Sequence, residues 1–406
     1  MASQLRIAYV TTMRRVMGAP RILCLIDTVG KGGGAEQLVA AVVPRMAALG
    51  AAIEVAPIHE WPINFAVEIE AAGVPVHRLD CAHSKLRPKG VAALARLVRQ
   101  SQYDIFWGHL GTGNAYARIG AALGGGKSVA TLHSEGYASN TPKRWRDRVA
   151  VGFEGSMLGG ATARVAVSNA VARDFETYFH LSDIAVAYNG IDVEKVIAFS
   201  KKEARGEARA RWGIGTDSFF IVNAARYVTK KGQRYLVDAI HILSQRGISD
   251  IKLLLCGEGD PTALRQQATA LGLSDRVICH DVLEQAELMP LIAAADAFVM
   301  PSLREPFGIA AGEAMALGVP TILTEVDGFI ELEGGTNSAL MSPAADGQSL
   351  ANCILELRAD PERAQAMGRR AAARIAEHFS IDACARRWIE IFDAVQIGKA
   401  IPPCAE

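Results

Sequence analysis

The feature that most constrains this chain is an alternation run twice: a short apolar stretch, then a stretch of helical period, restarting near the middle. In the first series Arg21–Asp27, Ile53–Pro57, Val74–His77, Tyr103–Gly108, Lys127–Leu132, Ala163–Val167 and Ala185–Ala187 read as strands. Ala35–Leu49 reads as a helix, Ser168 as a helix N-cap and Tyr188-Asn189-Gly190 as a turn. The charged run 200–211 (SKKEARGEARAR) reads as a surface helix. The second series has strands at Phe219–Ala224, Ile251–Cys256, Val277–His280, Ala297–Met300 and Thr321–Leu323, and Asp360–Val395 is mostly helical. Alternation of this kind specifies an α/β fold of two doubly wound, Rossmann-like domains. Ligands of such sheets bind beyond the carboxyl ends of the strands, so two facing domains make a central cleft.

Composition narrows the class. The 406 residues are 50% hydrophobic, 21% charged and 6% aromatic, which excludes a disordered chain and a coiled coil. Lys plus Arg and Asp plus Glu are 43 each, which argues against a dedicated nucleic-acid binder. The balance is uneven: residues 1–195 carry 21 basic and 16 acidic groups, and the remainder is acidic by the same margin. An anionic partner and ordinary scatter both account for that. The seven cysteines show no metal-ligand spacing, and most read as small buried hydrophobes of a reducing compartment. No apolar run reaches the roughly 18 residues of a membrane span, and the N-terminus lacks a signal peptide's apolar core. The expectation is a cytoplasmic chain, with residues 1–20 an extension before the first strand.

Three segments carry chemistry. Gly30-Lys31-Gly32-Gly33-Gly34-Ala35-Glu36 lies between a strand and a helix, where backbone N–H groups and the helix dipole suit a phosphate. Gly30, Gly32 and Ala35 also match the dinucleotide pattern, with Glu54 downstream, and tight-turn packing explains the glycines about as well. Asn223 to Gly232 places Arg226 and Lys231 after a strand: a fork for two phosphate oxygens and a compact charge, or a solvated basic loop. The third segment, Pro301 to Pro320, is the most specific. It ends a strand, turns, and starts a small-residue helix near Gly308 with its N-terminus open to an anion at Phe307–Ile309. Glu305 and Glu313 can each accept two hydroxyl hydrogen bonds, as sugar diols require; a salt bridge from Glu305 to Arg304 or another base, or a capping role for either Glu, is the plain alternative.

Glu305-x7-Glu313 inside EPFGIAAGEAMALGVP resembles the signature of glycosyltransferase family 4, which has the GT-B fold. Four further segments fall in that family's order: Gly32 to Glu36, Val167 to Val171 with Tyr188 to Asp192, Arg226 with Lys231-Gly232, and Cys256-Gly257-Glu258-Gly259. The resemblance spans about residues 21–395. It implies retaining transfer of a hexosyl group from a UDP- or GDP-sugar to a saccharide, lipid-linked or small-molecule acceptor. By position, Arg226 and Lys231 hold the diphosphate, Glu313 the nucleotide ribose and Glu305 the sugar hydroxyls. Backbone N–H groups of Phe307, Gly308 and Ile309 face sugar and phosphate. Gly33 and Gly34 close on the diphosphate, Gly257 belongs to the donor-domain turn, and His133 is the cleft histidine near the donor sugar. His109 reads as packing. The domains implied are 1–195 on the acceptor side, with a C-terminal helix of about 382–406 packing back on it, and 196–381 for the donor.

The chain departs from the pattern at Asp281, where many relatives have glycine, so the contacts to the base made by Asp281 and Val282 are in doubt. Asp327-Gly328 replaces a more usual small pair, Glu331 reads as structural, and Lys230 beside Lys231 leaves open which lysine reaches phosphate. No Asp-x-Asp occurs, so the expectation is catalysis with no metal and no cofactor beyond the donor. Lys85–Arg99 and Lys143–Arg148 (KRWRDR) read as solvated faces or as peripheral contacts with anionic lipid at the inner membrane face. Other readings are a GT-B-like nucleotide-sugar epimerase, a non-catalytic sugar-nucleotide sensor, and an NAD-dependent Rossmann oxidoreductase, which leaves the second half unexplained.

Overall fold

The computed structural model describes residues 18–404 apart from 31–32, 60–64, 80–85, 135–144 and the side chain of Arg146. It divides into two compact units: one runs to Gly190 and resumes at Ile381, the other is Ile191–Ser380.

Among the described residues, the first unit holds six parallel strands: β1 (Arg21–Ile26), β2 (Ala52–Pro57), β3 (Ile105–His109), β4 (Lys127–Leu132), β5 (Ala163–Ala166) and β6 (Ile184–Val186). Their order is β2-β1-β3-β4-β5-β6. The order reverses between β1 and β3, so the ligand crevice of this sheet lies beyond the ends of those strands. The strands are apolar on both faces, as a parallel sheet covered by helices requires. The helix Ile381–Ile397 covers one face. Its Trp388 and Phe392 pack on Trp107, with ring centroids 4.6 and 5.3 Å apart. The Lys127 ammonium donates to the carbonyls of Val395 and Gln396 at 2.7 and 2.9 Å, satisfying the negative end of that helix. Arg45 and Asp382 pair at its start.

The second unit repeats the plan with β7 (Phe219–Ala224), β8 (Ile251–Cys256), β9 (Val277–His280), β10 (Ala297–Met300), β11 (Thr321–Thr324) and β12 (Leu340–Ser342), ordered β12-β11-β10-β7-β8-β9. Here the reversal falls between β7 and β10. The buried Asn223 side chain ties the two together, donating to the Val299 carbonyl at 2.8 Å. Ile191 N–H donates to Phe379 O at 2.7 Å, joining the unit's first and last segments.

Two expectations need correction, and one strand went unmarked. Val74–His77 forms no strand: it adds one bridge, Val55 with Val76, because Pro75 offers a carbonyl but no N–H. Leu340–Ser342 is a strand the apolar pattern is too short to mark. The charged run 200–211 is not all surface. Its helix is Arg205–Arg211, and Arg209 is buried, pairing with Asp296 and donating to the carbonyls of Ala294 and Gly215. Cys24, Cys256 and Cys384 are buried, and burial pushes the Cys256 and Cys384 thiols up to about 12; Cys81 lies outside the described residues.

Candidate active site

The second unit gathers most of the marked residues at the reversal between β7 and β10. After β7 the chain turns through Arg226 and a 3₁₀ turn, Thr229–Lys231, into the helix Gln233–Gln245. The buried Gln233 side chain donates to the carbonyls of Ala225 and Arg226 at 3.1 and 3.3 Å and so holds that turn. Gly257, after β8, sits where an added Cβ would stand 2.0 Å from the Ala225 carbonyl oxygen and 3.1 Å from Arg226 N, so the two loops touch backbone to backbone. The Arg226 guanidinium is exposed and makes no hydrogen bond or ion pair among the described residues.

After β10 the chain runs through Ser302 and Glu305 to the helix Ile309–Ala316. The Lys231 ammonium lies 2.5 Å from Glu305 Oε2, and the pair is largely withdrawn from solvent, with side chains 13% and 7% exposed. Ser302 donates to the same oxygen at 3.2 Å, and the Ser302 carbonyl accepts from Thr324 at 2.5 Å. Glu305 Oε1 makes no hydrogen bond among the described residues. The base that pairs with Glu305 is therefore Lys231 rather than its neighbour Arg304, and of the two adjacent lysines it is Lys231 that points here. Phe307 turns its ring inward onto Phe379, 5.4 Å between centroids, so only its backbone faces the turn. Gly308 caps the helix with φ +98°, a left-handed geometry that leaves the first amides of the helix unpaired within it. The exposed Arg226 guanidinium, the Lys231 ammonium and a helix N-terminus are groups that can receive an anion at this reversal point.

Glu313 lies further along that helix and accepts from the Gln285 side chain at 2.6 Å. Burial, partly offset by Gln285 and Lys195, raises its carboxyl from 4.5 to about 7. The raised value means the folded chain holds this proton more tightly than the unfolded one. The contribution to stability is complete below about 4.5 and is lost as pH rises through about 7. Glu313→Gln should flatten that part of the curve. The check is Tm against pH for both proteins: the slopes should differ between pH 4.5 and about 7, and the curves should run parallel outside that window. Asp281 and Val282 follow β9 and lead toward Gln285; both are exposed, Val282 by 67%.

The first unit carries the other marked residues. Gly33 is the extended residue before the helix Gly34–Ala48, and the Glu36 carboxylate folds back over it; burial raises the Glu36 carboxyl. His133 follows β4, and its Nε2 lies 2.8 Å from His109 Nδ1 at the end of β3. Burial holds His133 down to about 4, so it is neutral near pH 7. Sequence reasoning missed Asp27 at the end of β1. Its carboxylate accepts from Gly113 N–H at 2.9 Å, and burial pushes it up to about 6. A polar residue closing an apolar strand was the available signal. Gln285 and Ser302 carried none, because their roles depend on approach across the sheet. Lys85, Lys143 and Arg144 lie outside the described residues. The helix Trp145–Gly159 exposes Trp145, Val149 and Phe153 at four-residue spacing.

Comparison with known proteins agrees with this fold. The model for "Glycosyltransferase Family 4" matches residues 32–195, and that for "Glycosyl transferases group 1" matches 204–374. A D-inositol 3-phosphate glycosyltransferase of Arthrobacter is 27% identical over 84% of this chain and 86% of its own. One from Paenarthrobacter aurescens is 27% identical over 92% and 96%. The crystal structure of Anabaena HepE in complex with UDP superposes with a TM-score of 0.75 at 22% identity, covering 92% of this chain and 100% of that one. No helix of the described residues is long and apolar enough to cross a membrane. Two parallel doubly wound sheets, matched in turn by two glycosyltransferase models, leave neither half unexplained: the chain is a GT-B glycosyltransferase and belongs to glycosyltransferase family 4.

Proposed function

We propose that this enzyme transfers a hexosyl group, with retention, from a nucleotide-diphosphate sugar to a saccharide, lipid-linked or small-molecule hydroxyl. The observation that carries the reading is the Lys231–Glu305 pair at the β7/β10 reversal, beside the open N-terminus of Ile309–Ala316. Arg226 and Lys231 supply fixed positive charge where the leaving diphosphate gains negative charge. Glu305 keeps Oε1 for the sugar hydroxyls while Oε2 holds Lys231 in place. Glu313 takes the ribose, Gly257, Asp281 and Val282 border the base, and the amides at Phe307, Gly308 and Ile309 face the phosphates. In the other unit, Gly33, Gly34 and His133 serve the diphosphate and sugar, and that unit's loops bind the acceptor. The anomeric carbon–oxygen bond to phosphate breaks as the acceptor oxygen bonds to the same face. The acceptor proton passes to the departing phosphate oxygen. The two cations fill the role a metal plays in other sugar-nucleotide enzymes, so activity survives EDTA.

The named relatives support the donor class: the Anabaena protein is seen with UDP and with UDP-glucose, and the curated relatives are glycosyltransferases. Uridine is accordingly the first base to test. The apolar stripe Trp145, Val149 and Phe153, on a helix entered through a basic run, supports peripheral contact with anionic lipid at the cytoplasmic face. The test is thermal stabilisation by UDP, GDP, ADP and NAD⁺, each with and without EDTA. A ligand at 100 times its Kd adds about 2.7 kcal/mol, enough to raise Tm by several degrees. One nucleoside diphosphate should do so, with or without chelator. A shift with NAD⁺ alone would remove the proposal.

A further inference from the structure

His109, read from the sequence as packing, is joined to the one histidine marked for the donor sugar. It closes β3, is fully buried, and stands with its ring 4.3 Å from that of Trp107 and 5.1 Å from that of His133. Its Nδ1 shares the 2.8 Å hydrogen bond with His133 Nε2. Its other nitrogen, Nε2, is buried with no hydrogen-bond partner among the described residues. His133 makes no second hydrogen bond among them, so its Nδ1 is open. The strand ends that carry the pair are clamped. Trp107 Nε1 donates to Thr131 Oγ1 at 2.8 Å, and the Asn114 amide both accepts from Thr131 N and donates to Thr131 O at 3.1 Å.

Burial holds His109 well below the usual range, with His133 adding to it, so near neutral pH two uncharged rings face each other. One must donate and the other accept. Were His133 the donor, His109 Nε2 would carry a hydrogen into apolar packing with no acceptor. Were His109 the donor, the orphan would be a bare lone pair. Buried N–H groups without acceptors are the rarer of the two in folded proteins.

We propose that His109 is a positioning residue: its Nδ1–H donates to His133 Nε2 and fixes His133 in the tautomer that presents Nδ1–H outward as a donor. The matching substrate atom is an oxygen lone pair, on a sugar hydroxyl or a phosphate. That substrate role rests on the placement of His133 at the donor sugar; the tautomer does not. Long-range ¹⁵N–¹H correlation of the imidazoles in the intact protein reads the tautomer directly. His133 should be protonated on Nδ1 in the wild type. His109→Asn keeps an amide donor in place and should retain that tautomer. His109→Phe keeps ring volume without a donor and should lose it, with nucleotide-sugar turnover reduced about tenfold, the worth of one hydrogen bond, while His109→Asn stays within about threefold. Protonation of His133 on Nε2 in the wild type would overturn the proposal, and so would an unchanged tautomer in His109→Phe. Should that variant fail to fold, the wild-type assignment and His109→Asn decide. A lost tautomer with unchanged turnover sustains the role of His109 and removes His133 from the donor site.

Discussion

Lys231→Ala lowers sugar transfer by about 10²–10³ in kcat, the usual consequence of deleting one preorganised positive group from a site of charge development. The same change leaves Glu305 buried without its cation. Removing one partner of a buried pair costs about 3–5 kcal/mol, and the narrow opening at this pair favours the lower end of that range. The two effects separate in a double variant. Lys231→Met with Glu305→Gln removes both charges, so most of the lost stability returns while transfer stays at least as low as in Lys231→Ala. Melting curves and initial rates for the two proteins suffice. A double variant that recovered both stability and activity would show that the pair is structural only.

Gly232→Ala is the second large effect, and it acts on the fold. Gly232 has φ +65°, a conformation that side chains disfavour, and an added Cβ would stand 1.9 Å from the Pro301 carbonyl oxygen. That atom is backbone at the end of β10 and cannot swing aside. The turn carrying Lys231 would have to move away from the segment carrying Glu305. A cost of about 3 kcal/mol or more is expected, which lowers Tm by about 6–12 °C for a unit of this size. Gly206→Ala is the control. It lies in the helix Arg205–Arg211 with nothing near its missing Cβ, and there alanine, the better helix former, should leave Tm unchanged or slightly higher. Equal melting of the two variants would contradict the close approach.

The fold was legible because parallel strands buried on both faces are written as uninterrupted apolar runs. Phe219–Ala224 and Ile251–Cys256 have the expected bounds. Val74–His77 read equally well and failed because a proline's missing N–H outweighs its two valine neighbours. At the site, Lys231, Glu305 and Glu313 stood out as charges placed just beyond strands or inside a small-residue helix. The meeting of Lys231 with Glu305 was not legible, since sequence separation says nothing about which loops the sheet order brings together. His109 was set aside for the same reason: a buried histidine beside tryptophans reads as packing until its hydrogen-bond partner is seen. Asp27 was marked only by its place at the end of an apolar strand, and Ser302 and Gln285 became visible only through the partners that hold them.

The most direct test of the account is ³¹P NMR of the intact enzyme with UDP-glucose and then GDP-mannose in the presence of EDTA, with water as the default acceptor. The account predicts slow appearance of one free nucleoside diphosphate with the wild-type enzyme and none with Lys231→Ala. Cleavage at the same rate by both proteins, or cleavage that stops when EDTA is added, would contradict it.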